Sequence, residues 1–270
     1  MVRSMTARRD DRPHTGGMRY ASGVGQLPAA AISIVGAERL AEAIARDPHV
    51  KLELTLTCQT LPDAPSSNVV GEIVGSERPN EVVVIGGHLD CWDKGQGAHD
   101  DGAGCVHSIE AIRLLKELGI RPRRTIRAVL FMNEENGNRG GEAYAAAARP
   151  GETAVAAIES DAGGFTPRGF GVGGGPATFE AVAKWKPLLA PIEADKLEHG
   201  GHGVDIGPLI AKGVPGFGLN VDSQRYFDYH HSDNDTIDAV NERELELGAI
   251  ALAIMSYMIA EEGLPMAAKR

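Results

Sequence analysis

Val82-Val83-Val84-Ile85-Gly86-Gly87-His88-Leu89-Asp90 is an apolar run that ends on an imidazole and a carboxylate. A short solid apolar run of this kind reads as a strand buried on both faces. It has counterparts downstream. Ile126-Arg127-Ala128-Val129-Leu130-Phe131 runs into Asn133-Glu134-Glu135, and Ala156-Ala157-Ile158 runs into Glu159-Ser160-Asp161. Val214-Pro215-Gly216-Phe217-Gly218-Leu219 leads through a loop to His230-His231. In an open α/β sheet, ligands bind beyond the carboxyl ends of the strands, so these groups are expected to meet in one crevice. A His, Asp and Glu set without cysteine suits zinc or a similar divalent ion held for chemistry rather than for structure.

Outward from these runs, strand and helix alternate from Glu81 onward. The helix after the first cluster carries Val106, Ile109, Ile112, Leu115 and Leu118, and Gly119 with Pro122 stops it. Residues 141–148, 177–190 and 205–212 are further helix candidates, and 242–261 is the longest, with Leu247, Ile250, Ala251, Ile254 and Met258 on one face. Upstream, Ile32 to Val35 reads as a short strand and Gly36 to Ala45 as an amphipathic helix. Lys51-Leu52-Glu53-Leu54-Thr55-Leu56 alternates as a half-buried strand does, and Val69 to Val74 reads as another strand. Residues 1–30 carry no periodicity. The fold class expected is α/β, a mixed, mostly parallel sheet sandwiched by helices.

The chain has 270 residues, 43% hydrophobic and 24% charged, enough to bury a sizeable core. A net charge of −10 argues against a nucleic-acid partner, which needs clustered Lys and Arg. Arg121, Arg123, Arg124 and Arg127 do cluster, and read as a solvated cationic turn. Cys58, Cys91 and Cys105 form no C-x-x-C pattern and cannot all pair, so no disulfide framework is expected. Cys91 reads either as a small buried thiol or, three positions after His88, as a thiol within reach of a metal. No apolar stretch approaches the ~20 residues of a membrane span. Met1 to Arg12 is Arg-rich without an apolar stretch after it, which is not a signal-peptide pattern.

Within the clusters, Asp90 stands two residues from His88, where a carboxylate commonly accepts the second ring N–H of a ligating histidine. Adjacent carboxylates such as Asp100-Asp101 repel unless a cation lies near them. That pair reads either as a metal bridge or as caps of the following helix. Glu134-Glu135 at a buried strand end calls for two different jobs, one ligand and one base, or for two solvated loop residues. Asp161 is a ligand or a turn cap, and one of His230 and His231 could be purely structural. The loop Glu198-His199-Gly200-Gly201-His202-Gly203 is read as a mobile exposed loop, with a place on the pocket rim as the alternative.

The same stretches resemble the ordered motifs of the M28 family of di-zinc exopeptidases: His88-Leu89-Asp90, Asp100-Asp101-Gly102, Asn133-Glu134-Glu135, Glu159-Ser160-Asp161 and His231-x-x-x-Asp235-Thr236. Gly87 to Ala98 and Tyr226-Phe227-x-x-His230-His231-Ser232 carry a finer likeness to the plasma glutamate carboxypeptidase branch and its bacterial relatives. The resemblance runs from about residue 13 to the C-terminus. It implies two zinc ions per chain: His88 and Asp161 on one, Glu135 and His231 on the other, Asp100 bridging. It further implies Glu134 as general base, His230 as oxyanion donor, Asp90 orienting His88, and Asp235 supporting the His231 loop.

The implied function is exopeptidase hydrolysis of dipeptides or short peptides, as an aminopeptidase, dipeptidase or carboxypeptidase. Alternatives weighed are a one-zinc glutaminyl cyclase, a non-catalytic binding module, and an inactive truncated fragment. Peptide is the expected partner, and a homodimer is left open. Residues 1–48 resemble only the tail of the branch's protease-associated insert, ahead of a catalytic domain over 49–270. The branch has a longer N-terminal part, so a start at an internal methionine is the expectation. With a branch often secreted or periplasmic, localisation is left unassigned. Cys91 stands where the branch commonly has serine.

Overall fold

The computed structural model describes residues 1–147 and 149–265. Its elements in chain order begin with β1 (Val2–Arg3), β2 (Ala31–Ile32), α1 (Ile34–Arg46), β3 (Val69–Ile73) and β4 (Arg78–His88). They continue with α2 (Ala103–Glu117), β5 (Arg124–Phe131), α3 (Arg139–Ala146), β6 (Thr153–Glu159), β7 (Pro167–Val172) and α4 (Pro176–Ala183). The last are α5 (Lys186–Leu189), β8 (Lys196–His199), α6 (Gly207–Ile210), β9 (Gly216–Val221) and α7 (Glu242–Glu262). Seven strands form one sheet in the order β3-β5-β4-β6-β9-β7-β8. Only β3 against β5 and β7 against β9 are antiparallel. The four central strands β5, β4, β6 and β9 are mutually parallel, so their carboxyl ends lie along one edge.

Alternation along β4 divides its apolar run between two cores. Val83 and Ile85 pack with Ala111 and Leu115 of α2 and with Ala251, Leu252, Met255 and Ile259 of α7. Val82 and Val84 pack on the other face with Phe131, Ile206 and Leu209, joined by Tyr144 of α3. Removing that apolar surface from water is the main driving force of the fold. Asn241 caps α7 by accepting the Glu244 N–H at 3.0 Å.

The mixed, mostly parallel α/β sheet is as expected, but several local readings need correction. Lys51 to Leu56 forms no strand; Leu52, Leu54 and Leu56 are exposed, because no sheet edge pairs with them and β3 remains the outer strand. The α2 stripe is buried only in part: Leu115 is buried while Val106 and Ile109 are 44% and 51% exposed. A step of three residues falls about 60° short of a full turn, so such a stripe drifts around the helix. The residues that α2 buries are instead Ala103, Gly104, Cys105, His107, Ser108 and Ala111, together with Leu115. On α7 the buried line is Gly248, Leu252, Met255 and Ile259, with the expected stripe half-buried apart from Ala251.

The 177–190 helix breaks after Ala183, and Pro187 opens the short α5; the 205–212 candidate shrinks to the one turn of α6. Ala148, at the end of the 141–148 candidate, lies outside the described residues. Three strands, β1, β7 and β8, were not anticipated, since Val2-Arg3, Pro167-Arg168-Gly169 and Lys196-Leu197-Glu198 lack an apolar run. The strand expected at 32–35 is instead Ala31–Ile32, because Ser33 caps α1 and Ile34 already belongs to it. Arg124 and Arg127 are not solvated. Arg124 is buried on Glu81 at 2.6 Å, and Arg127 is buried between Glu72 at 2.6 Å and Glu152 at 2.8 Å. The three cysteines are free. Among the described residues, no helix is long and apolar enough to cross a membrane.

His107 is fully buried between Ser160, 2.9 Å from its Nδ1, and the glycine gap at Gly248 of α7. Burial pushes its pKa down to about 4. The unfolded chain, with an ordinary histidine value of ~6.5, therefore takes up this proton first as pH falls. Stability is expected to fall between about pH 6.5 and 4 by roughly 3 kcal/mol in total through this group. Urea unfolding at pH 7 and pH 5 should give a smaller loss for His107→Gln than for the wild type; equal losses would assign the pH dependence elsewhere.

Candidate metal centre

His88 is the last residue of β4, Glu134 and Glu135 follow β5, Asp161 follows β6, and His231 follows β9 after a 3-10 turn, Ser223–Asp228. Because these four strands are adjacent and parallel, the side chains meet at one edge of the sheet. Asp100 reaches the same point from an irregular turn, Ala98–Gly102, that joins β4 to α2.

The Asp100 carboxylate sits at the centre. Its Oδ1 lies 3.4 Å from His88 Nε2, and its Oδ2 lies 3.2 Å from His231 Nε2. On one side, His88 Nε2 is also 3.6 Å from Asp161 Oδ1 and 3.9 Å from Glu134 Oε2. On the other, His231 Nε2 is 3.0 Å from Glu135 Oε2. His230 stacks on His231 with ring centroids 3.5 Å apart and points Nε2 at Asp100 Oδ2 from 3.5 Å. His88 Nε2, Asp100 Oδ2, Glu135 Oε1 and Asp161 Oδ1 are buried without hydrogen-bond partners. Such atoms are costly to bury unless something else satisfies them. The donor set, imidazole nitrogens and carboxylate oxygens converging from five chain segments, fits a divalent cation.

Electrostatics leads to the same place. Burial disfavours the charged form of His88, but Asp100 and Asp161 outweigh it and hold the imidazolium far above its ordinary range. His231 behaves likewise; burial lowers it, Asp100 and Glu135 raise it, and it ends at about 10. Burial raises Asp100, yet His231 and His88 pull it well below the carboxylate range. Burial, with Asp161 and Glu135 adding and His88 opposing, pushes Glu134 up to about 7. The site thus binds protons where positive charge is in demand, and a metal cation would answer the same demand.

Three donor groupings are close enough to share an ion: Asp100 with His230 and His231; His88 with Asp101 and Asp161; and His88 with Asp100 and Glu135. Asp101 is the weakest member. Both of its oxygens are spent on backbone, Oδ2 on His88 N–H at 3.0 Å and Oδ1 on Gly104 N–H at 2.9 Å. Of the adjacent pair, then, Asp100 faces the cluster while Asp101 caps α2 and ties it to β4.

Two supporting carboxylates act differently from expectation. The Asp90 side chain makes no hydrogen bond to His88, its Oδ1 standing 3.8 Å from Nδ1. The Asp90 backbone carbonyl lies 2.8 Å from His88 Nδ1, whereas its carboxylate accepts the N–H groups of Asn133, Glu134 and Glu135 at 2.7, 3.1 and 3.2 Å. Asp235 does not serve the His231 loop with its carboxylate either; it accepts His99 N–H at 2.6 Å and Asp100 N–H at 3.1 Å. Cys91 is exposed rather than buried, beside Asp100, Glu135 and His231 in a small cleft. Partial desolvation and these carboxylates raise its pKa, which disfavours the thiolate. His199 and His202 join none of the donor groupings, and Glu198 and His199 belong to β8, with His199 stacked on Phe179 at 3.8 Å.

One acidic residue near the centre went unread. Asp205 is buried with neither carboxylate oxygen bonded, and burial together with Glu159 pushes it up to about 8. In the sequence Asp205 stands only as the first residue of the helix candidate 205–212, which carries no ligand signal. Glu159 is itself held by Val204 and Ile206 N–H at 2.8 and 2.9 Å, a structural role.

A mostly parallel sheet carrying a cluster of potential metal ligands at its carboxyl edge is the class of site this fold presents. The chain belongs to peptidase family M28, whose model matches residues 68–256. It is 38% identical over 268 residues to carboxypeptidase Q of Bos taurus, covering 98% of this chain and 57% of that protein. The crystal structure of a peptidase M28 precursor from Shewanella amazonensis SB2B superposes with a TM-score of 0.88 at 34% identity, over 99% of this chain and 62% of that one. A zinc aminopeptidase from Bacillus subtilis shares the fold, with a TM-score of 0.58 at 19% identity over 73% of this chain and 51% of that one. The chain spans little more than half the length of the curated relatives it matches.

Asp90→Ala strips three N–H groups of their charged acceptor. A loss of about 2–3 kcal/mol is expected, near the value of one or two hydrogen bonds to a charged group, because the site is partly open to water. Amide exchange at residues 133–135 should accelerate, and Asp90→Asn, which keeps one acceptor oxygen, should fall between. Exchange at wild-type rates in Asp90→Ala would mean that the carboxylate is not the clamp.

Proposed function

We propose that this chain is a co-catalytic zinc exopeptidase acting on dipeptides or short peptides. The observation that carries the reading is the set of four buried, unpartnered donor atoms arranged about Asp100. Their chemistry fits zinc, and the family supports zinc as the metal. Two ions are proposed because Asp100 turns one oxygen toward His88 and the other toward His231. His88 and Asp161 would hold one ion, Glu135 and His231 the other, and Asp100 both. When bound, such a pair supplies Lewis acidity at the scissile carbonyl and lowers the pKa of a water between them.

The chain's own groups do the rest. Glu134 stands at the cluster without being needed as a ligand, and its raised proton affinity suits it to accept a proton from water and pass it to the departing amine. His230, pushed down to about 4 chiefly by burial, is neutral near pH 7 and can donate one N–H to the oxyanion that develops on the carbonyl. Asp90 fixes Glu134 and Glu135 as one unit through their N–H groups.

Metal analysis of purified protein, paired with dipeptide hydrolysis, tests this reading. Two zinc ions per chain are expected, and Glu134→Gln should retain both while losing about 10²–10⁴-fold in kcat. Dipeptides blocked at one end or the other will separate amino- from carboxyl-terminal action. One zinc or none, with no hydrolysis after zinc is restored, would defeat the proposal.

A further inference from the structure

Residues 1–30 carry no periodicity and no chemical motif, yet part of this segment lies against the loop that bears His231. Thr15 N–H donates to the His231 carbonyl at 2.8 Å. Arg12 Nη1 donates to Asn234 Oδ1 at 2.6 Å and to the Asp233 carbonyl at 3.3 Å. Asn234 Nδ2 donates back to Asp10 Oδ2 at 2.8 Å. Thr6 Oγ1 and Arg8 N–H both donate to Asp228 Oδ1, at 2.6 and 3.3 Å. The arm is anchored in turn: His14 N–H donates to Ser4 Oγ at 2.9 Å, and the buried Ser4 donates to the Ile32 carbonyl at 3.0 Å.

These contacts fall on residues 228–234, and His231 is where the loop needs them. Its φ is +56°, the left-handed region, in a residue that has a Cβ. That conformation costs roughly 1–2 kcal/mol and persists only where surrounding structure enforces it. The turn's own backbone bonds run from His230 to Tyr226, from Ser232 to Tyr229 and from Asp235 to Ser232. The His231 carbonyl is met from outside, by Thr15. Gly16 follows against the imidazole, where even a Cβ would lie 3.9 Å from Nδ1.

We infer that residues 4–16 are a positioning arm that holds the His231 loop in its left-handed turn and thereby completes the metal centre. The inference rests on the reading of His231 as a metal ligand. Arg12, Asp10 and Thr15 are positioning residues; they act through the loop and touch neither metal nor substrate. Groups that orient a metal ligand typically contribute 10–100-fold in affinity. The arm bears on one side of the Asp100 cluster, so its loss should be felt unequally by the two ions.

The test is zinc affinity by chelator competition on the full chain, for the wild type, Arg12→Ala, Arg12→Lys and Thr15→Pro, with metal-free melting and amide exchange alongside. Arg12→Ala and Thr15→Pro should weaken one of two zinc ions about 10–100-fold and leave the other, with metal-free melting unchanged in Arg12→Ala. Arg12→Lys, still a donor, should recover most of the affinity. Unchanged affinity in both variants, or equal weakening of both ions together with lower metal-free melting, would overturn the arm as a positioning element. A wild type that holds no zinc would defeat the proposed function instead. Exchange at residues 229–236 in the metal-free protein would then decide the arm, with faster exchange in Arg12→Ala supporting it and wild-type exchange overturning it.

Discussion

The rest of the structure depends on the placement of the Asp100 carboxylate between two imidazoles, one oxygen toward each. A buried carboxylate among Glu134, Glu135 and Asp161 would be repelled from the site without positive charge close by. Everything around it serves to hold that arrangement. Asp235 grips the backbone on the amino side of Asp100, and Asp101 fastens the chain just beyond it to β4 and α2. Two carboxylates are thus spent on backbone so that one can face the cluster.

That arrangement requires α2 to approach β4 more closely than side chains permit. A Cβ at Gly87 would strike Asp101 Oδ2, and one at Gly104 would strike the Ser160 carbonyl and the Asp101 carboxylate. Glycine at these positions lets strand, helix start and the β6 end share one small volume. The same proximity puts His88 Nε2 3.4 Å from Asp100 and 3.6 Å from Asp161. Close packing at the sheet edge and the geometry of the donor cluster are therefore a single feature.

Much of the centre was legible because strand ends are easy to read. A solid apolar run dictates a buried strand, and the polar residues that stop it must lie at the sheet edge. His88, Glu134, Glu135 and Asp161 all declare themselves in this way. What was not legible depends on backbone partners, which sequence does not display. Asp90 looked like a partner for an imidazole ring and proves to be an acceptor for three N–H groups. Asp235 looked tied to its own loop and instead holds the turn before Asp100. Lys51 to Leu56 has the alternation of a strand, but pairing needs an available edge as well as a pattern. The arm at residues 4–16 had no signal at all, since its contacts are a few hydrogen bonds from irregular chain.

The Asp90 clamp carries a consequence for how such a centre can vary. Because one carboxylate accepts the N–H groups of Asn133, Glu134 and Glu135, the end of β5 is tied to the chain two residues beyond His88 at the end of β4. A drift of either strand end is thereby passed to the other. Substitutions elsewhere in β5 can therefore move His88 and the two glutamates together, rather than pulling the glutamates away from the imidazole.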